Sequence, residues 1–327
     1  MGATGQRSSG DIPRVVIVGA GAIGGFYGAI LHRAGAQVEL VMRSDADVVR
    51  EHGLTVESDV AELGDLSFRP HAVYDARATP VPGADFVVCC VKVLPGVDRA
   101  ALIAPWLGPE SVVALIENGI DIEPAIRRAL PDHRLVSGLA FVAVSRVAPG
   151  RLHHHAYGRV SLGNWPGGVD AAATRLAEWL EAGGIAARTT ESIVADRWGK
   201  SLWNTPFNPV SVLADGTDTN VMLDTPGGEV LIRALMAEVA AVAAADGHTL
   251  SEAAIDKNIA ATRTMNAYRN SMALDYRAGR ALEIEAILGN VCDLAERYGV
   301  AVPRLSMLRT LIALKQAEAK GLMGDRS

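Results

Sequence analysis

The stretch Arg14-Val-Val-Ile-Val-Gly19-Ala20-Gly21-Ala22-Ile23-Gly24 decides the fold. An apolar, β-branched run reads as a buried strand. It enters a glycine-rich turn and then a helical segment, Ile23–Ala34, before a second strand at Gln37–Met42. A helix N-terminus directly after a strand presents backbone N–H groups on which a dinucleotide pyrophosphate can sit. Gly19 permits the tight turn, Gly21 lets the phosphates approach the backbone, and Gly24 lets helix and strand pack closely. The expected cofactor contacts are therefore Gly19, Ala20, Gly21, Ala22, Ile23 and Gly24.

The end of the second strand bears on which nicotinamide cofactor is used. An NAD site usually carries Asp or Glu there for the ribose hydroxyls. This chain reads Leu40-Val-Met-Arg43-Ser44-Asp45. Arg43 suits a 2′-phosphate and Ser44 adds a hydroxyl, which predicts NADP(H). Asp45 is the competing signal for NAD, and Arg43 as an ordinary solvated charge is the plainer alternative.

A chain of 327 residues has room for two cores. With 49% hydrophobic and 21% charged residues it is globular in composition, and a net charge of −6 argues against nucleic-acid binding. No apolar run approaches the ~20 residues of a bilayer span. Residues 1–12 are polar and Gly/Ser-rich, without the pattern of a secretory signal, and are expected to be a frayed tail. Cys89, Cys90 and Cys292 form no disulfide framework, so a cytoplasmic location is the default expectation.

Further strand-like runs are Asp85–Val91 before Lys92, Ser111–Ile116 before Glu117-Asn118-Gly119, Leu135–Leu139, Val142–Val147 and Ala186–Thr189. Arg151–Leu162 alternates polar and apolar residues and reads as an edge strand or hairpin. Runs apolar on both faces suit a parallel sheet covered by helices, with ligands at the carboxyl ends of the strands. Lys92 and Asn118 lie at such ends. Beyond Glu191 the periodicity becomes helical, through Ile193–Trp203, Gly228–Asp246, Ser251–Ala267, Glu283–Tyr298 and Pro303–Lys320. The expected organisation is an α/β Rossmann-type parallel-sheet domain over 13–191, then an all-α domain over 192–327.

Lys200, Asn204 and Asn208 fall at i, i+4 and i+8, placing an ammonium and two amides on one helix stripe. Their neighbours Trp198, Leu202, Trp203 and Phe207 are apolar, so the polar stripe points to a site. Pro206 is expected to kink or end that helix. Glu283 is expected in the first turn of a helix, where the dipole keeps it ionised. It is either a functional carboxylate or a simple helix-start residue. His153-His154-His155 puts two imidazoles on one strand face, but no carboxylate or thiol lies near in sequence, so no metal is expected. Asp215-Gly216-Thr-Asp218 reads as a turn between helices.

In chain order, the Gly19–Gly24 turn with Arg43, Lys92, Asn118-Gly119, Lys200/Asn204/Asn208 with Pro209, Ser271-Met, Glu283-Ile and Gly299-Val-Ala-Val-Pro303 resemble the ketopantoate reductases (2-dehydropantoate 2-reductases). The resemblance runs from Val15 to about Lys320. It implies a Rossmann-type domain followed by a helical domain of the 6-phosphogluconate-dehydrogenase kind, with the active site in the cleft between them. It also implies NADPH-dependent reduction of the 2-oxo group of 2-dehydropantoate to pantoate. By the same resemblance Lys200 is the general acid and Glu283 the substrate-orienting carboxylate. Asn118, Asn204, Asn208 and Ser271 would bind substrate, and Lys92 and Asn118 would line the cofactor. The chain departs from the family pattern at Glu117, which adds a negative charge near a carboxylate substrate, and at Trp203, Pro206 and Tyr268. A related reductase of another branched or aromatic 2-oxo acid therefore stays open, as does a non-catalytic NADP-binding regulator. The only partners expected are the small 2-oxo acid and a second copy in a homodimer.

Overall fold

The computed structural model describes residues 12–324 apart from Ala76 and Asn266, with side chains described up to 318. Residues 1–11 of the expected tail lie outside the described residues. The chain divides into two compact units. The first comprises Met1–Lys92, Asp98–Glu117 and Glu123–Ile193; the second comprises Val93–Val97, Asn118–Ile122 and Val194–Ser327.

The first unit is built on one sheet. Its strands are β1 (Arg14–Val18), β2 (Gln37–Val41), β3 (Leu54–Ser58), β4 (Leu66–Phe68), β5 (Ala72–Tyr74), β6 (Phe86–Cys89), β7 (Val112–Ile116), β8 (Arg134–Ala148), β9 (Arg151–Asn164) and β10 (Ala187–Thr189). The order is β4-β3-β9-β8-β7-β6-β1-β2-β5, with β10 also on β9. From β5 through β1 to β8 every pairing is parallel. Alternation along β1 explains why both faces are covered. Val15 and Ile17 join the core under α1 (Ala22–Arg33) and α5 (Ala171–Ala182), while Val16 and Val18 join Ile103, Trp106 and Ile126 on the other face. Burying each such side chain contributes about 1.5–3 kcal/mol.

The parallel sheet continues into an antiparallel hairpin. Leu135–Leu139 and Val142–Val147 are not two strands but parts of the single 15-residue β8. Its partner β9 is no edge strand. It pairs antiparallel with β8 and parallel with β3 and β10. Its polar/apolar alternation reflects partial exposure of one face rather than an edge position. The remaining α-helices of this unit are α2 (Ala46–His52), α3 (Arg99–Ile103) and α4 (Pro124–Ala129).

The second unit is helical: α6 (Ile193–Leu213), α7 (Thr219–Asp224), α8 (Gly228–Ala245), α9 (Glu252–Arg263), α10 (Ser271–Arg277), α11 (Asn290–Tyr298) and α12 (Pro303–Gly324). Helix α6 does not end at Pro206 but runs through Pro206 and Pro209. Each interior proline costs about 3 kcal/mol. The helix persists because Trp198, Leu202 and Phe207 are at most 1% exposed in the unit's core, and Trp203 stacks on Phe207 with centroids 4.7 Å apart. Asp215–Asp218 is a turn in which Asp218 caps α7. Among the described residues no helix is long and apolar enough to cross a membrane.

Candidate active site

The glycine turn is built as the sequence dictates. Gly19 has φ +87°, and a Cβ there would meet Val91 Cγ2 at 2.7 Å. A Cβ on Gly24 would lie 2.6 Å from the Gly19 carbonyl oxygen and 2.9 Å from Ile17 Cγ2, so only glycine lets α1 sit this close to β1. Gly21 differs: nothing lies within 4 Å of its Cβ position. It is the N-cap of α1, makes no side-chain cap, and is followed by a first turn without acidic residues. The N-terminus of α1 thus carries no side-chain cap and no acidic residue that would compete with a pyrophosphate.

Beyond β2, Arg43 and Ser44 are exposed. Arg146 of β8 reaches this point, its Nη1 donating to Ser44 Oγ and Asp45 Oδ2, both at 2.9 Å. Asp45, the residue that competes for an NAD reading, is therefore engaged by a guanidinium. Arg146 was not legible in the sequence, because it arrives from a strand some hundred residues on. Lys92, half-buried, follows β6 by three residues and closes the first segment of this unit.

Asn118, Lys200 and Glu283 belong to the second unit. Gly119 explains how Asn118 is placed. Its φ is +113°, and a Cβ there would lie 2.6 Å from the Ala286 carbonyl oxygen, which accepts from Ile120 N at 3.0 Å. Asn290 Nδ2 donates to Ile120 O at 2.7 Å and Arg197 Nη1 to Gly119 O at 3.2 Å. So clamped, Asn118 Oδ1 accepts from Lys200 Nζ at 2.8 Å.

Glu283 stands one residue before the helical segment rather than inside its first turn. Its carbonyl accepts from Ile287 N, and its Oε1 accepts from Val93 N at 3.0 Å. The helix it precedes opens as a π-turn, Glu285–Gly289, before α11. Thr205 Oγ1 donates to Ile287 O at 2.8 Å, fastening α6 to that turn. Burial, with Arg197's charge adding to it, lowers the Lys200 pKa to about 7; Glu283 opposes the shift. Arg197, 2% exposed and three residues before Lys200, is a site residue missed in the sequence.

The remaining expected residues lie further along α6 and on α10. Asn204 is half-buried. Asn208 is 1% exposed, and among the described residues its Oδ1 has no hydrogen-bond partner. Ser271 is exposed at the start of α10. Asn270, also missed, ties that helix to α6: its Nδ2 meets Phe207 O at 3.3 Å and Ser211 Oγ at 3.1 Å, and its Oδ1 caps Ala273 N. Glu117 does not project a free charge. It is buried and paired with Arg99, and it accepts from the Cys89 thiol.

A glycine-turn parallel sheet followed by a helical unit defines the class: a Rossmann-type domain with a second, helical unit. The family described as ketopantoate reductase PanE/ApbA matches residues 15–167, and its C-terminal counterpart matches 192–316. The chain belongs to the ketopantoate reductase family. It is 32% identical over 300 residues to a 2-dehydropantoate 2-reductase of Nostoc sp., covering 90% of this chain and 92% of that one. The crystal structure of 2-dehydropantoate 2-reductase from Methylococcus capsulatus is similar at TM-score 0.86 and 43% identity, covering 93% of this chain and 97% of that one. That from Geobacter metallireducens reaches TM-score 0.85 at 32% identity, covering 92% and 99%.

Proposed function

We propose that this protein reduces the 2-oxo group of 2-dehydropantoate to give pantoate, using NADPH. The observation that carries this reading is Lys200, held by Asn118 and with its pKa brought to about 7. An ammonium of that acidity is matched to protonating an alkoxide near neutral pH.

The residues present fit the cofactor. The open Gly21 position and the uncapped α1 N-terminus suit the pyrophosphate, and Arg43 with Ser44 suits a 2′-phosphate, with Asp45 occupied by Arg146. Lys92 and Asn118 are assigned to the cofactor side. When bound, NADPH supplies the hydride that adds to the oxo carbon.

The chain's own residues do the rest. One Lys200 N–H is taken by Asn118, which fixes the position of the ammonium that is to meet the substrate's oxo oxygen. As negative charge grows on that oxygen, the ammonium stabilises it and then transfers its proton; an N–H bond breaks, an O–H bond forms, and neutral lysine remains. Glu283, oriented by Val93 N, accepts from the substrate hydroxyl. Asn204, the unpartnered Asn208 Oδ1 and Ser271 complete the substrate contacts.

An aromatic 2-oxo acid is the second reading, favoured by Trp203 and Tyr268, whose rings lie 6.2 Å apart beside this stripe. Steady-state NADPH oxidation against a panel of 2-oxo acids tests both. The proposal expects the highest kcat/KM with 2-dehydropantoate and a fall of about 100-fold or more in kcat for Lys200→Ala, with NADPH affinity retained. Faster turnover of an aromatic oxo acid favours the second reading. Tight NADPH binding without turnover of any oxo acid overturns both.

A further inference from the structure

The three consecutive histidines acquire a partner that their sequence neighbourhood lacks. Strand β3 pairs in parallel with β9, matching Glu57 with His153 and Ser58 with His154. The next residue, Asp59, donates its N–H to His154 O at 2.9 Å, which fixes its backbone beside the histidines. His154 turns into the core. It is fully buried, its ring centroid 4.6 Å from that of Phe26 and its Nδ1 2.9 Å from Ser58 Oγ. His153 and His155 take the other face, with ring centroids 4.2 Å apart.

We propose that Asp59, His153 and His155 form a binding site for a divalent metal ion of borderline softness, Zn²⁺ foremost. His153 Nε2 lies 2.9 Å from Asp59 Oδ1, and His155 Nδ1 lies 3.7 Å from Asp59 Oδ2. One ligand atom from each residue fits within 4.8 Å of the others. Metal–ligand bonds of about 2.0–2.2 Å in a tetrahedron put neighbouring ligand atoms about 3.4 Å apart, a spacing that the two observed distances bracket.

Two features of the fold aim these groups at one point. The pairing of β8 with β9 shifts from Ala143 opposite Ala156 to Val144 opposite His154, so His155 is the extra residue of a β-bulge. Bulges redirect side chains in this way. Behind it, Ser145 Oγ lies 2.9 Å from His155 Nε2. A hydroxyl accepting from Nε2–H leaves the Nδ1 lone pair facing Asp59, the outer-shell arrangement that orients metal-ligating histidines. Two imidazoles select a borderline ion over Mg²⁺. Asp59 and His155 are exposed and His153 is half-buried, so the ion has access from solution and water completes its coordination.

The test is calorimetric titration of the chain, without a histidine tag and stripped with chelator, with ZnCl₂ and separately with MgCl₂. The expected result is one Zn²⁺ per chain at micromolar or tighter affinity, with no saturable Mg²⁺ binding. Asp59→Asn and His155→Ala should each abolish saturation. Ser145→Ala should weaken binding by about 10-fold or more while leaving the stoichiometry at one. Circular dichroism checks that each variant is folded. Absence of saturable Zn²⁺ binding overturns the proposal and leaves only an Asp–His hydrogen bond. Stoichiometric binding unchanged in Asp59→Asn and His155→Ala overturns it equally. Neither outcome touches the reductase reading.

Discussion

Substituting Gly119 by alanine tests whether the Asn118 clamp sets up the lysine. At φ +113° an alanine is strained, and such conformations cost about 1–3 kcal/mol. Its Cβ would also lie 2.6 Å from the Ala286 carbonyl oxygen, so the backbone must move and the Ile120–Ala286 hydrogen bond lengthens or breaks. That bond contributes about 1 kcal/mol, giving a total loss of about 2–4 kcal/mol. The same movement displaces Asn118, and with it the acceptor 2.8 Å from Lys200 Nζ. A displacement of about 1 Å in a positioned group can lower a rate about 100-fold. The expected result for Gly119→Ala is therefore a reduced urea midpoint and a kcat lower by about 10- to 100-fold. Urea unfolding and steady-state kinetics with 2-dehydropantoate read the two effects. A destabilised protein with wild-type kcat would refute the link between the clamp and the lysine.

Other substitutions probe separate parts of the account. Arg43→Ala should raise the KM for NADPH by about 10- to 100-fold through loss of a charge-assisted contact and leave that for NADH almost unchanged; equal effects on both would remove Arg43 from the 2′-phosphate. Arg146→Ala should release Asp45 and lower the NADPH-to-NADH preference, read as the ratio of kcat/KM values; an unchanged ratio would show that the Arg146–Asp45 contact does not bear on cofactor choice. Asn270→Ala removes the buried hydrogen bonds to Phe207 O, Ser211 Oγ and Ala273 N, so it should cost about 1–3 kcal/mol in urea unfolding and raise the KM for the oxo acid. An unaltered KM would detach α10 from substrate binding.

What the sequence made legible was local. The alternation of Val15 to Val18 and the glycine turn carry their structure within a dozen residues, and the later glycine geometry follows from them. Lys200, Asn204 and Asn208 were legible as a stripe, and the helix under them was legible as far as Trp203 but not beyond Pro206. Pro206 argues locally for a break, and only tertiary burial of Trp198 and Phe207 overrides it. The same holds for β9, whose status depends on pairing with β8, β3 and β10. Glu117 looked like a charge facing substrate until Arg99, eighteen residues before it, met it in the interior. Asp59 and His153 lie 94 residues apart, and nothing short of the β3–β9 register brings them together.

The central claim is that Lys200 gives up the proton. With its pKa near 7, the ammonium is progressively lost as pH rises, and with it the acid that the reduction requires. The most direct measurement is kcat/KM for 2-dehydropantoate at saturating NADPH between pH 5.5 and 9.5. The account predicts a plateau at low pH, a bend near 7 and then a fall of about tenfold per pH unit. A rate that stays flat to pH 9 would contradict it.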